Sequence, residues 1–299
     1  MMIALTSPAF AGDAGPRVVV SIAPLHSLAA QVMAGAGEPA LLIDAAASPH
    51  SVALKPSQAR ALARADLVIW IGGALEPSLH NAIAARPSRQ QVLTLIDSRT
   101  LHRLAGRRQA AERSRPAGAG DVIDPHLWLD PDNARIIVRL ITTRLQTLDP
   151  ARAALYARNA AQADARLRAL SHAIAARLEP LRDAPFMVFH DAYQYLEYRY
   201  HLKNAGIIRS HPEQGASAYH LRRIAEERRA ANVACVFAEP QFAAAPVFND
   251  PSAPAIRYLD PLGRGLPADP DLYQKMIIRL VDTLAGCLER AAGDKGVTQ

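Results

Sequence analysis

Residues 151–178 read ARAALYARNAAQADARLRALSHAIAARL, an alanine- and arginine-rich run that contains no glycine and no proline. Alanine, leucine and arginine are among the residues that cost least in a helix, so the whole run is predicted to be helical. Glu179 and Pro180 follow it, and a proline ends a helix at or just before the residue that precedes it. A helix of this length within an α/β pattern predicts a spine between two lobes.

The chain on the N-terminal side of this helix alternates between short β-branched runs and stretches with helical spacing. The predicted strands cover residues 17–22, 40–43, 67–71 and 92–96. The predicted helices between them cover residues 25–34, 57–65 and 77–85, with Ser57 as a candidate N-cap. Strands that alternate with helices run parallel, so this pattern predicts a doubly wound sheet.

The chain on the C-terminal side resumes the same alternation after Pro180. The predicted strands cover residues 186–189, 205–208, 233–238 and 256–259. The predicted helices cover residues 192–200, 218–230 and 270–290. Two units of the same kind predict a cleft between them, because ligands of such sheets bind beyond the carboxyl ends of the strands.

The predicted division of the chain follows from these boundaries. We expect an N-terminal α/β lobe over residues 17–130, a linking helix over residues 131–179 and a C-terminal α/β lobe over residues 180–299. Asp130-Pro131 predicts the start of the linking helix, as cap and first helical residue, and Asp149-Pro150 predicts an interruption or restart. The expected fold class is α/β, with two doubly wound parallel-sheet lobes joined by a long rigid helix.

The first residues of the chain form an uncharged and mostly apolar segment. It ends in the small-x-small sequence Ala9-Phe10-Ala11, and the chain turns polar directly afterwards. This pattern is typical of the end of a secretory signal peptide, although a basic n-region is missing. We interpret residues 1–11 as a signal-peptide remnant and expect export, with a chance apolar terminus as the alternative. No apolar run reaches the roughly 20 residues of a membrane helix, so we expect a soluble body.

The charge of the chain excludes one class of partner. The 299 residues carry a formal net charge of +6, and a basic balance can indicate nucleic-acid binding. Here the arginines are spread along predicted helices and are not interleaved with aromatic residues, which make up only 5% of the chain. We therefore expect solvated helix faces and no nucleic-acid binding. The sequence also lacks the glycine motifs of nucleotide sites and the GxSxG elbow of hydrolases.

Residues 104–120 interrupt the alternation of strands and helices. They are rich in arginine, alanine, glycine and serine. This composition is typical of a mobile surface loop. Its arginines are candidates for contact with a membrane or with a membrane protein.

Three histidines stand near the ends of predicted strands, namely His50, His126 and His190. Neutral imidazole is the commonest zinc ligand, and three imidazoles leave a fourth place for water. Asp260, which also follows a predicted strand, is a candidate fourth ligand or an acceptor behind a ligand. The spacing matches neither a zinc finger nor an HExxH helix. Spacing alone therefore leaves three alternatives, which are ordinary loop histidines, a metal-binding site and a metallohydrolase.

Cys235 and Cys287 are the two cysteines of the chain. In a cytosolic protein such a pair is usually two buried thiols, whereas in an exported protein it more often forms one disulfide. Both alternatives stay open on the residues alone.

The histidines belong to a set of motifs that extends over nearly the whole chain, from about Arg17 to Glu289. The motifs are SPH at 48–50, LKPS at 54–57, ADLVIW at 65–70, HLWL at 126–129, VFHDAY at 188–193, CVFAEPQF at 235–242 and LDPLG at 259–263. In this order and spacing, the chain resembles the zinc-specific solute-binding proteins of bacterial ABC importers, the ZnuA-like family.

The resemblance implies two α/β lobes, a rigid linking helix and a metal site in the cleft. It matches His50, His126 and His190 to the metal ligands, and it pairs the positions of Cys235 and Cys287 as a disulfide. It also implies a monomeric periplasmic protein that is not an enzyme. Such a protein captures Zn²⁺ and docks at the inner membrane, where it delivers the ion to the permease of an ABC importer.

Two features of the chain refine what the resemblance implies. Manganese-binding members of the wider family use two carboxylates with two histidines, so His190, where they have a carboxylate, indicates zinc. Manganese delivery and a zinc-dependent hydrolase are the alternatives. The chain departs from many members in the loop at 104–120, which has no histidine cluster, and from some at Pro49, where they have a glutamate. We therefore expect water, or else Asp260, as the fourth ligand.

Overall fold

The computed structural model of the protein describes residues 15–85, 91–107, 122–209, 217–242 and 253–296. The predicted signal-peptide remnant and most of the arginine-rich loop lie outside these ranges. None of the helices within these ranges combines the length and the apolar character needed to cross a membrane.

The N-terminal half forms a parallel sheet with connecting helices, as predicted. Its strands, in the spatial order β2-β1-β3-β4, are β1 (Val18–Ile22), β2 (Ala40–Ile43), β3 (Leu67–Trp70) and β4 (Gln91–Thr94). Its helices are α1 (Ala23–Met33), α2 (Pro56–Arg64) and α3 (Pro77–Ala84). β1 and β3 are buried along their whole length, because the central strands of a parallel sheet are covered on both faces.

The segment predicted to link the halves forms two helices that pack against each other. They are α4 (Pro131–Leu148) and α5 (Ala153–Leu178), and the break between them falls at Asp149-Pro150, as the sequence indicates. α5 has 26 residues and is therefore about 39 Å long. α4 begins where predicted, because the Asp130 side chain accepts a 2.9 Å hydrogen bond from the N–H of Asp132.

The C-terminal half repeats the topology of the N-terminal half. Its strands, in the spatial order β6-β5-β7-β8, are β5 (Phe186–His190), β6 (Asn204–Arg209), β7 (Cys235–Ala238) and β8 (Ile256–Tyr258). Its helices are α6 (Gln194–Tyr200), α7 (Ala218–Ala230) and α8 (Leu272–Gly296). In both sheets the first strand lies between the second and the third, and all pairs are parallel. The predicted fold class is confirmed.

The two halves share a continuous apolar core in addition to the helical hairpin. One cluster of buried apolar residues includes side chains from both sheets and from α1, α4, α5 and α8. Ser27 Oγ of α1 donates to the carbonyl of Pro270 at 2.8 Å and accepts from the N–H of Tyr273 at 3.0 Å. Trp128 Nε1 donates to the carbonyl of Pro261 at 2.8 Å. The link between the halves therefore includes α1 and α8 as well as α5.

The prediction of a mobile loop that begins at Leu104 is wrong for its first residues. The N–H of Leu104 donates to the hydroxyl of Tyr195 at 3.0 Å, and Gln194 Nε2 donates to the carbonyl of Ala105 at 3.1 Å. Both partners belong to α6 of the C-terminal half. The base of this loop is therefore fixed against α6, while residues 108–121 lie outside the described part of the chain.

The predicted cap of α2 is also wrong. The helix begins at Pro56, and Lys55 takes the N-cap position in place of Ser57. The N–H of Lys55 donates to Oε1 of Gln58 at 2.7 Å. Proline is favoured at the first helical position, because its missing N–H would have no partner there, and this preference outweighs the capping tendency of serine.

Cys235 and Cys287 form a disulfide, which confirms the pairing that the family resemblance implies. Cys235 is the first residue of β7 and Cys287 lies in α8, so the bond ties a central strand to the last helix. The two residues are separated by 52 positions in the sequence. In the chain-entropy account, a cross-link over this separation stabilises the folded state by about 4 kcal/mol.

Replacing both cysteines by alanine is expected to lower the thermal unfolding midpoint of the metal-free protein by roughly 10 °C, because a domain of this size loses roughly 2–4 °C per kcal/mol. Calorimetry measures this change directly. A reductant should lower the midpoint of the wild-type protein by a similar amount and leave the double variant unchanged. Equal midpoints for the wild-type protein and the double variant would contradict a stabilising role for the disulfide.

Candidate metal centre

Three histidines meet between the two halves of the molecule. His50 lies in the loop between β2 and α2, and His190 is the last residue of β5. His126 immediately precedes the 3-10 turn Leu127–Leu129, which leads into α4. Parallel sheets place their ligands beyond the carboxyl ends of the strands, and the loop after β2 and the end of β5 are both at such ends.

The geometry of the three imidazoles suits a single metal ion. Among the described residues, they form the one cluster of potential ligands, with ligand atoms that all lie within 4.8 Å of one another. The ring centroids are 5.8 Å apart for His50 and His126, 5.3 Å for His50 and His190, and 5.0 Å for His126 and His190. A zinc–nitrogen bond is about 2.0–2.1 Å long, so small rotations of the rings would bring all three nitrogens onto one ion.

A buried carboxylate orients the imidazole of His126. Nδ1 of His126 lies 2.8 Å from Oδ1 of Asp124, and because a carboxylate accepts, the ring nitrogen donates. The same oxygen also accepts from the backbone N–H of His126 at 2.9 Å. Both side chains are buried. The neutral ring then has its lone pair on Nε2, as a metal ligand requires.

Glu239 orients the imidazole of His190, as Asp124 orients that of His126. Nδ1 of His190 donates to Oε1 of Glu239 over 2.8 Å, and both side chains are buried. β5 and β7 are neighbours, with Val188 opposite Phe237. Extending this register by two residues places Glu239 beside His190, so the pairing of the strands itself creates the contact.

Burial and charge set the protonation of the two buried imidazoles. Burial, together with the nearby charge of His190, lowers the pKa of His126 to about 3. Burial also raises the pKa of Asp124 to about 7. Burial alone lowers the pKa of His190, but the charge of Glu239 and its hydrogen bond outweigh that effect and raise the pKa above its usual value. His126 is therefore neutral near pH 7, while a metal that binds His190 competes with a proton.

The centre is closed around His126 and His190 and more open around His50. His126 and His190 are both 4% exposed, whereas His50 is only partly buried. Its backbone N–H donates to Oγ of Ser48 at 3.2 Å. Apolar side chains line the cluster on several sides, among them Leu75, Trp128, Phe242 and Leu262. His50 is therefore the most exposed of the three histidines.

Asp260 is not part of the histidine cluster. Its Oδ1 accepts hydrogen bonds from Gln241 Nε2 at 2.8 Å and from the backbone N–H groups of Leu262 at 3.0 Å and Gly263 at 3.1 Å. These hydrogen bonds stabilise the turn after β8 and hold the side chain of Gln241 in the cleft. Its role as a fourth ligand stays a prediction.

An ion-pair cluster lies next to His190. Arg107, at the base of the arginine-rich loop, donates from Nε to Oδ1 of Asp191 at 3.0 Å and from Nη1 to Oε2 of Glu197 at 2.6 Å. Glu197 is buried and Asp191 directly follows His190. A buried carboxylate needs a partner, and Arg107 supplies it. The Arg107 side chain is therefore engaged within the molecule, and contact of the loop arginines with a membrane or a membrane protein stays a prediction.

Asp124 and Glu239 are functional candidates that the sequence analysis missed. Asp124 stands two residues before His126, a spacing that allows a local side-chain hydrogen bond and that was visible in the sequence. Glu239 follows a strand, as Asp260 does, but its contact with His190 depends on the strand order, which the sequence does not display.

Apart from the three histidines, Glu239 and Gln241, the described residues that line the cluster are apolar. Among the described residues that line the cluster, Glu239 is the one carboxylate, and it already accepts a hydrogen bond from His190. Serine, cysteine and lysine nucleophiles do not occur among these lining residues.

Comparison with known proteins agrees with this geometry. The sequence profile described as "Zinc-uptake complex component A periplasmic", ZnuA, matches residues 18–287. The chain belongs to the ZnuA family. Proteins named "High-affinity zinc uptake system protein ZnuA" are similar to it over most of their length. The one from Brucella suis biovar 1 (strain 1330) is 36% identical, with 93% of each chain covered. The one from Paracoccus denitrificans (strain Pd 1222) is 32% identical, with 91% of this chain and 92% of that protein covered.

Solved structures share the ZnuA-family fold. A crystal structure of ZnuA superposes with a TM-score of 0.77 at 24% identity and covers 91% of this chain and 99% of that chain. The solute-binding protein FpvC from Pseudomonas aeruginosa in complex with Mn²⁺ superposes with a TM-score of 0.78 at 24% identity and covers 92% and 99%. These likenesses establish the fold.

Replacing Glu239 by glutamine is expected to weaken zinc binding by roughly 10–100-fold, the usual effect of losing the residue that orients a metal-binding histidine. Competition with a chromophoric chelator measures the affinity. Glu289→Gln is the matched control, because Glu289 is exposed and pairs with Arg177 on the surface. Equal affinities for the two variants would show that Glu239 does not support a ligand.

Proposed function

We propose that this ZnuA-family protein binds one Zn²⁺ ion through His50, His126 and His190 in the periplasm and delivers it to an ABC-type membrane importer. The convergence of the three imidazoles carries the proposal. Two of them are buried and held by carboxylates, an arrangement that is typical of metal-binding histidines. Zinc is the cargo of the protein and is not consumed in a reaction.

The donor set favours zinc over manganese. Nitrogen-rich ligation suits zinc, whereas manganese prefers carboxylate and other oxygen ligands. We propose water as the fourth ligand, because Asp260 lies outside the cluster of potential ligand atoms. Manganese is the alternative cargo, since the FpvC structure of the same fold contains Mn²⁺.

The membrane partner and the location follow from the family. The family is described as a periplasmic component of a zinc-uptake complex, so we propose a membrane permease as the partner that receives the ion. The Cys235–Cys287 disulfide fits an oxidising compartment such as the periplasm. We propose a monomer that docks at the inner membrane and whose residues 1–11 are the remnant of an export signal.

We further propose that the chain divides into functional lobes at residues 17–130 and 180–299, joined by the hairpin at residues 131–179. Each lobe contains one four-stranded sheet. Because the apolar core is continuous between them, the lobes are expected to move little relative to each other when the ion binds or leaves.

Replacing His50, His126 or His190 by alanine is expected to weaken zinc binding by more than the roughly 10–100-fold that loss of a supporting residue costs, because each change removes a metal–nitrogen bond. Metal-stripped protein, titrated in the presence of a chelator, reports the affinity. His172→Ala is the matched control, because His172 is exposed on α5. Wild-type affinity in all three variants would refute the site.

Two further measurements on the wild-type protein distinguish a zinc carrier from a manganese carrier and from a zinc-dependent hydrolase. Competition between Zn²⁺ and Mn²⁺ on the wild-type protein should favour zinc strongly, and tighter manganese binding would identify a manganese carrier. Zinc-loaded protein should not accelerate the hydrolysis of simple esters or phosphate esters, and zinc-dependent turnover that His126→Ala abolishes would identify a hydrolase.

A further inference from the structure

We infer that Gln241 is a positioning residue for the zinc site, because its side-chain amide holds the loop that carries His50 against the opposite half of the molecule. This inference rests on the three-histidine site proposed above. Gln241 lines the same cleft as His50, His126 and His190, and it donates a hydrogen bond across that cleft.

His50 depends on the conformation of its loop more than the other two histidines do. His190 belongs to a strand and His126 directly precedes a helical turn, and a buried carboxylate holds each ring. His50 lies in residues 44–55, which contain neither helix nor strand. The anchors of this loop therefore contribute to the position of its imidazole.

One anchor of the loop lies within its own half. Gln58 of α2 accepts from the N–H of Lys55 at 2.7 Å and donates from Nε2 to the carbonyl of Leu42, so it ties together the two ends of the loop. Near the first end, Asp44 accepts at its carbonyl from the N–H of Ala47 at 2.9 Å and forms a turn. These contacts shape the loop but do not connect it to the other histidines.

The second anchor crosses the cleft. Nε2 of Gln241, in the segment after β7, donates to the carbonyl of Ala45 at 3.0 Å and to Oδ1 of Asp260 at 2.8 Å. Both partners are acceptors, so the NH₂ group of the amide must face them. Asp260 is held in turn by the N–H groups of Leu262 and Gly263. The amide thus lies between a fixed acceptor and the loop of His50.

The same short segment supports two ligands from opposite halves. In Glu239-Pro240-Gln241, the first residue orients His190 and the third holds the loop of His50. The proline between them restricts the backbone, and its carbonyl accepts from Arg264 Nη1 at 2.6 Å. A rigid segment of three residues therefore fixes the position of one histidine relative to another.

Gln241→Leu removes the amide and keeps most of the side-chain volume. We expect it to weaken zinc binding about five- to tenfold, the change that corresponds to one net hydrogen bond. The loss should occur mainly as faster zinc dissociation, since the path to the site is unchanged. Gln241→Asn, whose amide is one methylene too short to reach both partners, should behave alike and serves as the second variant where leucine impairs folding.

A double-mutant cycle with His50→Ala tests whether Gln241 acts through His50. In the His50→Ala background, which lacks the third imidazole, Gln241→Leu is expected to change zinc affinity less than twofold. Ser27→Ala is the matched control, because Ser27 also bridges the halves by side-chain hydrogen bonds but lies outside the lining of the histidine cluster. It should lower the unfolding temperature of the metal-free protein and leave zinc affinity unchanged.

The outcomes separate this inference from the function on which it rests. Wild-type zinc affinity in Gln241→Leu and Gln241→Asn, or an equal loss in both backgrounds, would overturn the positioning role of Gln241 and leave the zinc site intact. An equal loss in Ser27→Ala would also overturn it, since the effect would then reflect general stability. Wild-type affinity in His50→Ala would instead refute His50 as a ligand and with it the three-histidine site on which this inference rests.

Discussion

An imidazole buried without a hydrogen-bond partner is costly, and this constraint determines how the centre of the molecule is built. His126 and His190 are both buried, and each donates from Nδ1 to a buried carboxylate, Asp124 or Glu239. The two hydrogen bonds fix the ring orientations and leave the opposite nitrogens with their lone pairs. The charge of Glu239 also lies behind the ring of His190, which favours a cation in front of it.

The topology of the chain supplies these contacts. Both sheets have the same strand order, with the first strand between the second and the third. In the C-terminal sheet this order puts the residue after β7 beside the last residue of β5, which is how Glu239 reaches His190. The continuous apolar core and the hairpin of α4 and α5 then hold the N-terminal sheet so that the loop after β2 faces this pair. His50 completes the cluster from the more exposed side.

The sequence predicts the elements of this fold well, because β-branched runs, helical spacing and prolines are local signals. The strands at 40–43 and the helix that starts at Pro131 appear with the expected bounds. The restart at Asp149-Pro150 is visible for the same reason. The strand order is not local, so the pairing of Glu239 with His190 had no signal in the spacing of residues. The family resemblance pointed to the three histidines, whereas their spacing alone did not.

Two charged residues, Arg107 and Asp260, have partners that their local sequence does not indicate. Arg107 lies in a polar and glycine-rich stretch that looks like a surface loop, but two carboxylates of the C-terminal half bind its guanidinium next to the centre. Asp260 stays a candidate fourth ligand, and its Oδ1 accepts hydrogen bonds from two backbone groups and from Gln241. In both cases a residue distant in the sequence contributes a contact, and a single sequence does not identify such partners.

The central claim is that three imidazoles from distant parts of the chain share one zinc ion. X-ray absorption at the zinc edge of the loaded protein tests it most directly, because imidazole rings produce a characteristic outer-shell pattern. The account predicts one zinc per chain with nitrogen and oxygen neighbours at about 2.0–2.1 Å and an outer shell that fits three imidazoles. A first shell dominated by carboxylate oxygen, with one imidazole or none, would contradict it.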